Sequence, residues 1–222
     1  MVSYDELKKA RKTSGEILAE QKAHNPYGEE LSDLIGTPLL EGYKTNPDAD
    51  EVVSRLKIAS HVMAKGGNST LKPLLPMLLS IRGKPYHLHD HFVFSPFFRT
   101  RMPRSTLLKT GRQVSKSTSL ASQGVLFSNC IPYFSTLYIT PLYEMIRRFS
   151  QNYVAPFIET SPVGNLFSGQ STVNNVLQRS FKNRSQMIFS FAYLDAERTR
   201  GISADKNVID EVQDMDISFL PI

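Results

Sequence analysis

Two patterns of apolar and polar positions divide the chain. Up to about residue 84, apolar residues recur at helical spacing among many polar ones. Ser3 followed by Glu6 matches a capping box, and Leu7, Ala10, Ile17 and Leu18 carry the period onward, which predicts a first helix. A second is predicted after Asn46-Pro47. There Asp48, Asp50 and Glu51 suit an N-terminus, Val52, Leu56, Ala59 and Met63 supply the apolar stripe, and Gly66-Gly67 stops it. The apolar stretch from Leu74 to Ile81, interrupted by Pro76 and ended by Gly83, is too short for a membrane and reads as packing. From about residue 105, short apolar runs alternate with helical stretches, the signature of βαβ units and a mostly parallel sheet. Strands are predicted at Ser105–Thr110, Tyr133–Thr140, Gln186–Ala192 and Asn207–Asp210, and helices at Lys116–Ser128, Pro141–Ile158, Val173–Phe181 and Asp195–Ile202. The chain thus divides into a helical segment, 1–84, and an α/β domain, 85–222.

Composition narrows the class. In 222 residues, 41% apolar and 21% charged positions argue against a disordered, collagen-like or coiled-coil chain. The net charge of +5 is unevenly spread: residues 85–200 carry thirteen basic and five acidic side chains, and no carboxylate occurs from His91 to Leu142. Such a stretch suits a surface or pocket that meets phosphate. One cysteine, Cys130, leaves no intramolecular disulfide and no Cys-x-x-Cys zinc pair, which fits a reducing compartment. Neither a membrane-length apolar run nor a signal-peptide pattern is visible, so no membrane partner and a cytoplasmic location are expected.

Candidate chemistry lies in two places. Thr110-Gly111-Arg112-Gln113-Val114-Ser115-Lys116-Ser117-Thr118 falls between a predicted strand and a predicted helix. A phosphate loop needs backbone amides turned into one cradle, a lysine for the outer phosphates, a hydroxyl for Mg2+ and a helix N-terminus beneath. Lys116 and Ser117 occupy the last two positions of that pattern, while Thr110 and Ser115 stand where its glycines belong. A left-handed Ser115 would cost roughly 1–2 kcal/mol. The plainer reading is a basic loop with solvated charges. The second place is Asn207-Val208-Ile209-Asp210-Glu211, an apolar strand ending in two carboxylates. There an aspartate can hold Mg2+ through water while the next glutamate polarises a water for attack on a γ-phosphate. Both halves of an ATP site then appear in the right order.

Gly111-Arg112-Gln113-Val114-Ser115-Lys116-Ser117-Thr118, with Ile209-Asp210-Glu211-Val212-Gln213 and the upstream Arg200-Gly201, resembles the ATPase domain of the large terminase subunit of tailed bacteriophages. In that family the loop commonly lacks its first glycine; Ser115 is the departure. The resemblance covers roughly residues 85–222 and implies a P-loop NTPase fold of the ASCE, RecA-like kind, with helices on both sheet faces. It further implies ATP and Mg2+ as cofactors. Lys116 would hold the β and γ phosphates, Ser117 and Asp210 the metal, Glu211 the attacking water, and Arg112 would act in cis on the γ-phosphate. Gly111, Gln113, Val114, Ser115 and Thr118 complete the nucleotide loop, and Phe97 of Pro96-Phe97-Phe98 is a candidate for stacking on adenine, although core packing also suits an aromatic pair. The implied activity is an ATPase motor that drives double-stranded DNA into a procapsid. Its partners would be a portal protein, a small terminase subunit and a homo-oligomeric ring on the procapsid, in the cytoplasm of an infected bacterial host.

Two alternatives stay open: a helicase-like superfamily 2 ATPase, which Asp210-Glu211-Val212-Gln213 also resembles, and a non-hydrolysing DNA-binding fragment. Tyr138-Ile139-Thr140-Pro141 resembles the segment that faces nucleic acid in both enzyme families. Arg147, Arg148, Arg179, Lys182 and Arg184 suit a phosphate backbone or a solvated face. His87, His89 and His91 would share one face of a strand but match no zinc spacing. The nuclease domain and the motif III strand that the family places beside the Walker B strand are not in this sequence. An incomplete sheet with an unpaired interior edge, and low intrinsic stability, are therefore expected.

Overall fold

The computed structural model describes residues 48–64, 70–111, 113–162, 174–192, 199 and 201–216. The chain forms two compact units, 1–42 and 43–222, and the described residues lie in the second. The helix expected from Ser3 lies outside them.

Asp48 opens helix α1 (Ala49–Ala64), its carboxylate accepting the Glu51 amide at 2.8 Å. Arg55 is buried beneath it, paired with Glu51 and donating to the Met77 carbonyl at 2.8 Å. That carbonyl belongs to α2 (Leu74–Leu78), whose five residues are all buried, as the packing reading required. The hairpin of β1 (Ser80–Ile81) and β2 (Lys84–Pro85) follows. A 3-10 segment, His89–Phe97, then replaces the extended run on which three histidines would have shared a face.

The centre of the unit is a four-stranded mixed sheet in the order β4-β5-β3-β6: β4 (Gln178–Ser180), β5 (Gln186–Phe191), β3 (Ser135–Thr140) and β6 (Lys206–Ile209). β3 runs parallel to β5 from Ser135↔Gln186 to Thr140↔Phe191, and parallel to β6 from Thr136↔Lys206 to Ile139↔Ile209. β3 is buried at all six positions, as a strand covered on both faces must be. On one face Thr136, Tyr138, Met187 and Phe189 meet the helices. On the other, Leu137, Ile139 and Ile188 meet Ile202, Ala204, Val212 and Met215.

Helix α3 (Lys116–Cys130) carries four serines and is buried around most of its circumference, which explains its weak apolar periodicity. At Gly124 an added Cβ would stand 2.6 Å from Met187 Cε, so the absent side chain lets helix and sheet approach closely. The helix expected at Pro141–Ile158 forms as α4 (Tyr143–Arg148), a π-helical stretch (Phe149–Val154) and α5 (Ala155–Thr160) in succession. Pro156 has no amide to donate and its ring crowds the preceding turn, which accounts for the widened stretch just before it.

Two expectations fail where they are described. Ser105–Thr110 forms no strand: β6 pairs on one side only, with β3, and no described segment lines its other side. An extended run without a ladder partner keeps its backbone in water, and Leu107 is 85% exposed. Val173–Phe181 is not a helix where it is described. Asn175 caps a turn by accepting the amides of Leu177 and Gln178, and β4 then pairs antiparallel to β5. Among the described residues, α3 and α4 through α5 share one face of the sheet, and the cover of the other comes from 3-10 and irregular segments. Most of Asp195–Ile202 lies outside the described residues. No helix among them is long and apolar enough to cross a membrane.

Candidate active site

In a parallel sheet the carboxyl ends of the strands share one edge, and loops there can converge on a ligand. β3 and β6 both end at this edge, at Thr140 and Asp210. The N-terminus of α3 reaches it too, and three side chains separated by 94 residues in sequence meet there. Lys116 Nζ donates to Asp210 Oδ1 at 2.5 Å and lies 3.4 Å from Glu211 Oε1.

Ser115, the residue before the lysine, is left-handed at φ 60°, and so is Gln113 at φ 61°. Ser115 therefore takes the conformation for which the loop pattern reserves glycine. A left-handed residue followed by a right-handed one, as Ser115 is by helical Lys116, turns successive amides toward one side, the geometry of an anion nest. The Ser115 carbonyl accepts the Ser119 amide at 3.0 Å, so the nest leads directly into the first helical turn. Lys116, Ser117 and Thr118 form that turn and, like Val114 and Ser115, are half-buried. Gly111 stands in open space, and Arg112 lies outside the described residues.

Asp210 is buried and saturated with donors. Its Oδ1 accepts Lys116 and the Glu211 amide at 3.0 Å, and its Oδ2 accepts the Tyr138 hydroxyl at 2.7 Å. Glu211, more exposed and left-handed at φ 55°, accepts the Gln213 amide nitrogen at 2.6 Å. Burial of Lys116 works against its charge, yet the hydrogen bond and charge of Asp210, followed by the charge of Glu211, outweigh burial and raise its pKa. Burial, and then the negative charge of Asp210, raise that of Tyr138, which stays a neutral donor.

The donor set fits Mg2+. Ser117 and Asp210 offer the hard oxygens that this ion takes alongside phosphates and water, and a cation, the Lys116 ammonium, already lies against the carboxylates. Among the described residues there is no group of three or more His, Cys, Asp or Glu to hold a metal by side chains alone.

Phe97 is not drawn into this cluster. Its carbonyl accepts Gln123 of α3, about 10 Å along the helix from Lys116, and Phe98 is fully buried in the core. Of the basic candidates, Arg147 pairs with Glu144 at 2.9 Å, and Arg179 is pulled inward onto Asn174 and Ser150. Lys182 and Arg184 are exposed beyond the opposite end of β3, where the Arg184 guanidinium lies 5.6 Å from the Tyr133 ring centroid. Tyr138 does not face outward on a nucleic-acid loop but inward beneath Asp210. Its signal in the sequence is a polar-tipped ring between Leu137 and Ile139 in a predicted strand. Compared with protein-family models, curated proteins and solved structures, the chain finds no match in any of the three.

Proposed function

We propose that the protein is a Mg2+-dependent ATP-hydrolysing P-loop module, and that it serves as the ATPase motor of a viral DNA-packaging terminase. The observation that carries the reading is the junction of the Lys116 ammonium with Asp210 and Glu211 at the carboxyl edge of parallel strands, below a loop with two left-handed residues.

Each residue has a task that follows from its chemistry. The loop amides and Lys116 bind the phosphate chain, the lysine leaving its carboxylates for the more densely charged anion. Ser117 and Asp210 would hold Mg2+, which supplies charge neutralisation at the phosphates. Glu211 is free enough to turn toward a water and orient it, and Gln213 limits where it can turn. Arg112, from its place in the loop, would offset charge on the γ-phosphate. The narrower assignment is supported by the Arg112-Gln113 pair and by the basic segment 85–200. It brings with it double-stranded DNA, a portal protein, a small terminase subunit and a ring of identical subunits, in the cytoplasm of an infected bacterium.

The test is binding of a fluorescent ATP analogue with and without Mg2+, followed by phosphate release. Wild-type protein should bind and turn over, and Lys116→Ala should lose binding by on the order of 100-fold, as removal of a charged hydrogen-bonding group implies. Absence of binding by the wild type overturns the reading. Binding without turnover, with DNA binding that weakens in salt, leaves the non-hydrolysing alternative.

A further inference from the structure

Tyr138 has one polar atom, and it is spent on Asp210. The residue sits mid-strand in β3, opposite Phe189 on one side and Val208 on the other. Its ring lies flat on Phe149 at 3.8 Å between centroids and 4° between planes, with Phe189 edge-on at 6.3 Å. Phe149 also contacts Tyr153 within the π-helical stretch, so the clamp belongs to a built aromatic cluster. A phenylalanine would fill the same space. What the hydroxyl adds is a 2.7 Å bond to Asp210 Oδ2, on the oxygen that Lys116 does not contact.

We propose that Tyr138 is a positioning residue for magnesium: held between Phe149 and Phe189, it fixes the orientation of the Asp210 carboxylate that would hold the metal once Lys116 turns to the phosphates. This rests on the ATPase reading above. Phe149 and Phe189 hold the ring independently of the lysine, which bonds the other carboxylate oxygen. Groups that orient a metal-binding carboxylate without touching the metal commonly govern affinity for the ion more than affinity for its companion ligand.

The experiment is a magnesium titration of fluorescent ATP-analogue binding by wild type, Tyr138→Phe, Asp210→Ala and the double variant. Tyr138→Phe should raise the half-saturating Mg2+ concentration by on the order of tenfold while leaving metal-free nucleotide affinity unchanged. In the Asp210→Ala background it should add nothing. An unchanged magnesium requirement overturns the positioning role and leaves the ATPase reading intact. So does an equal loss with and without metal, or an additive loss in the double variant, since either means that the hydroxyl acts by a route other than orienting Asp210 for the metal. Failure of the wild type to bind nucleotide at any magnesium concentration overturns both.

Discussion

Lys206 shows how one residue can set a pH dependence that the site does not share. Its amine lies against Gln123 Oε1 and 5.1 Å from the Phe127 ring centroid, with burial lowering its pKa from 10.5 to about 8. Below pH 8 the folded state carries a buried charge that the unfolded chain keeps in water. Between about 8 and 10.5 the folded state has released the proton and the unfolded state has not, so stability rises with pH through this window. Lys116 has the opposite sign: its raised pKa contributes stability that is lost only as pH climbs above 10.5. Lys206→Met should therefore unfold at higher urea than wild type at pH 7, by on the order of 2 kcal/mol once the glutamine and ring contacts are discounted, and the gap should close by about pH 10.5. Urea melts at both values check this. Residues of this kind are hard to read in advance. Asp210, Glu211 and Lys116 stood out because their types and order match a chemistry, whereas Lys206 and Tyr138 acquire their roles from neighbours distant in sequence.

Among the elements, those with internal reasons to form were legible and those needing a partner were not. α1 follows from Asp48 and its apolar stripe, α3 from its place after the loop, and β3 and β5 from short runs of apolar and β-branched residues. Residues 105–110 have the composition of a strand, but no described neighbour offers them a ladder. Residues 174–181 have a helical period, yet Asn175 turns the chain and β5 offers an edge, so tertiary pairing overrides propensity. The loop before α3 tests a local cost. Ser115 stays left-handed without a side-chain cap to compensate. Ser115→Gly relieves the strain of roughly 1–2 kcal/mol, offset in part by the greater freedom of glycine in the unfolded chain. The variant should melt about 1–3 °C higher, as scanning calorimetry can establish.

At the scale of the molecule, protection should grade across the sheet. β3 is paired on both sides and buried throughout, while β6 is paired on one. Hydrogen exchange followed by mass spectrometry should find the amides of 136–140 the slowest and those of 206–209 faster by on the order of tenfold or more, as local opening of an edge strand costs less than global unfolding. Equal protection would mean that something else covers the edge. The same asymmetry governs the acid at the end of β6. Its amide donates to the Ile139 carbonyl at 2.9 Å and its carboxylate accepts from Tyr138, so two of its tethers come from the strand next door. Asp210 is in effect a cantilever bolted to β3: the marginal strand that bears it can breathe without dragging the carboxylate along, and the stiffness of the site is borrowed from the middle of the sheet.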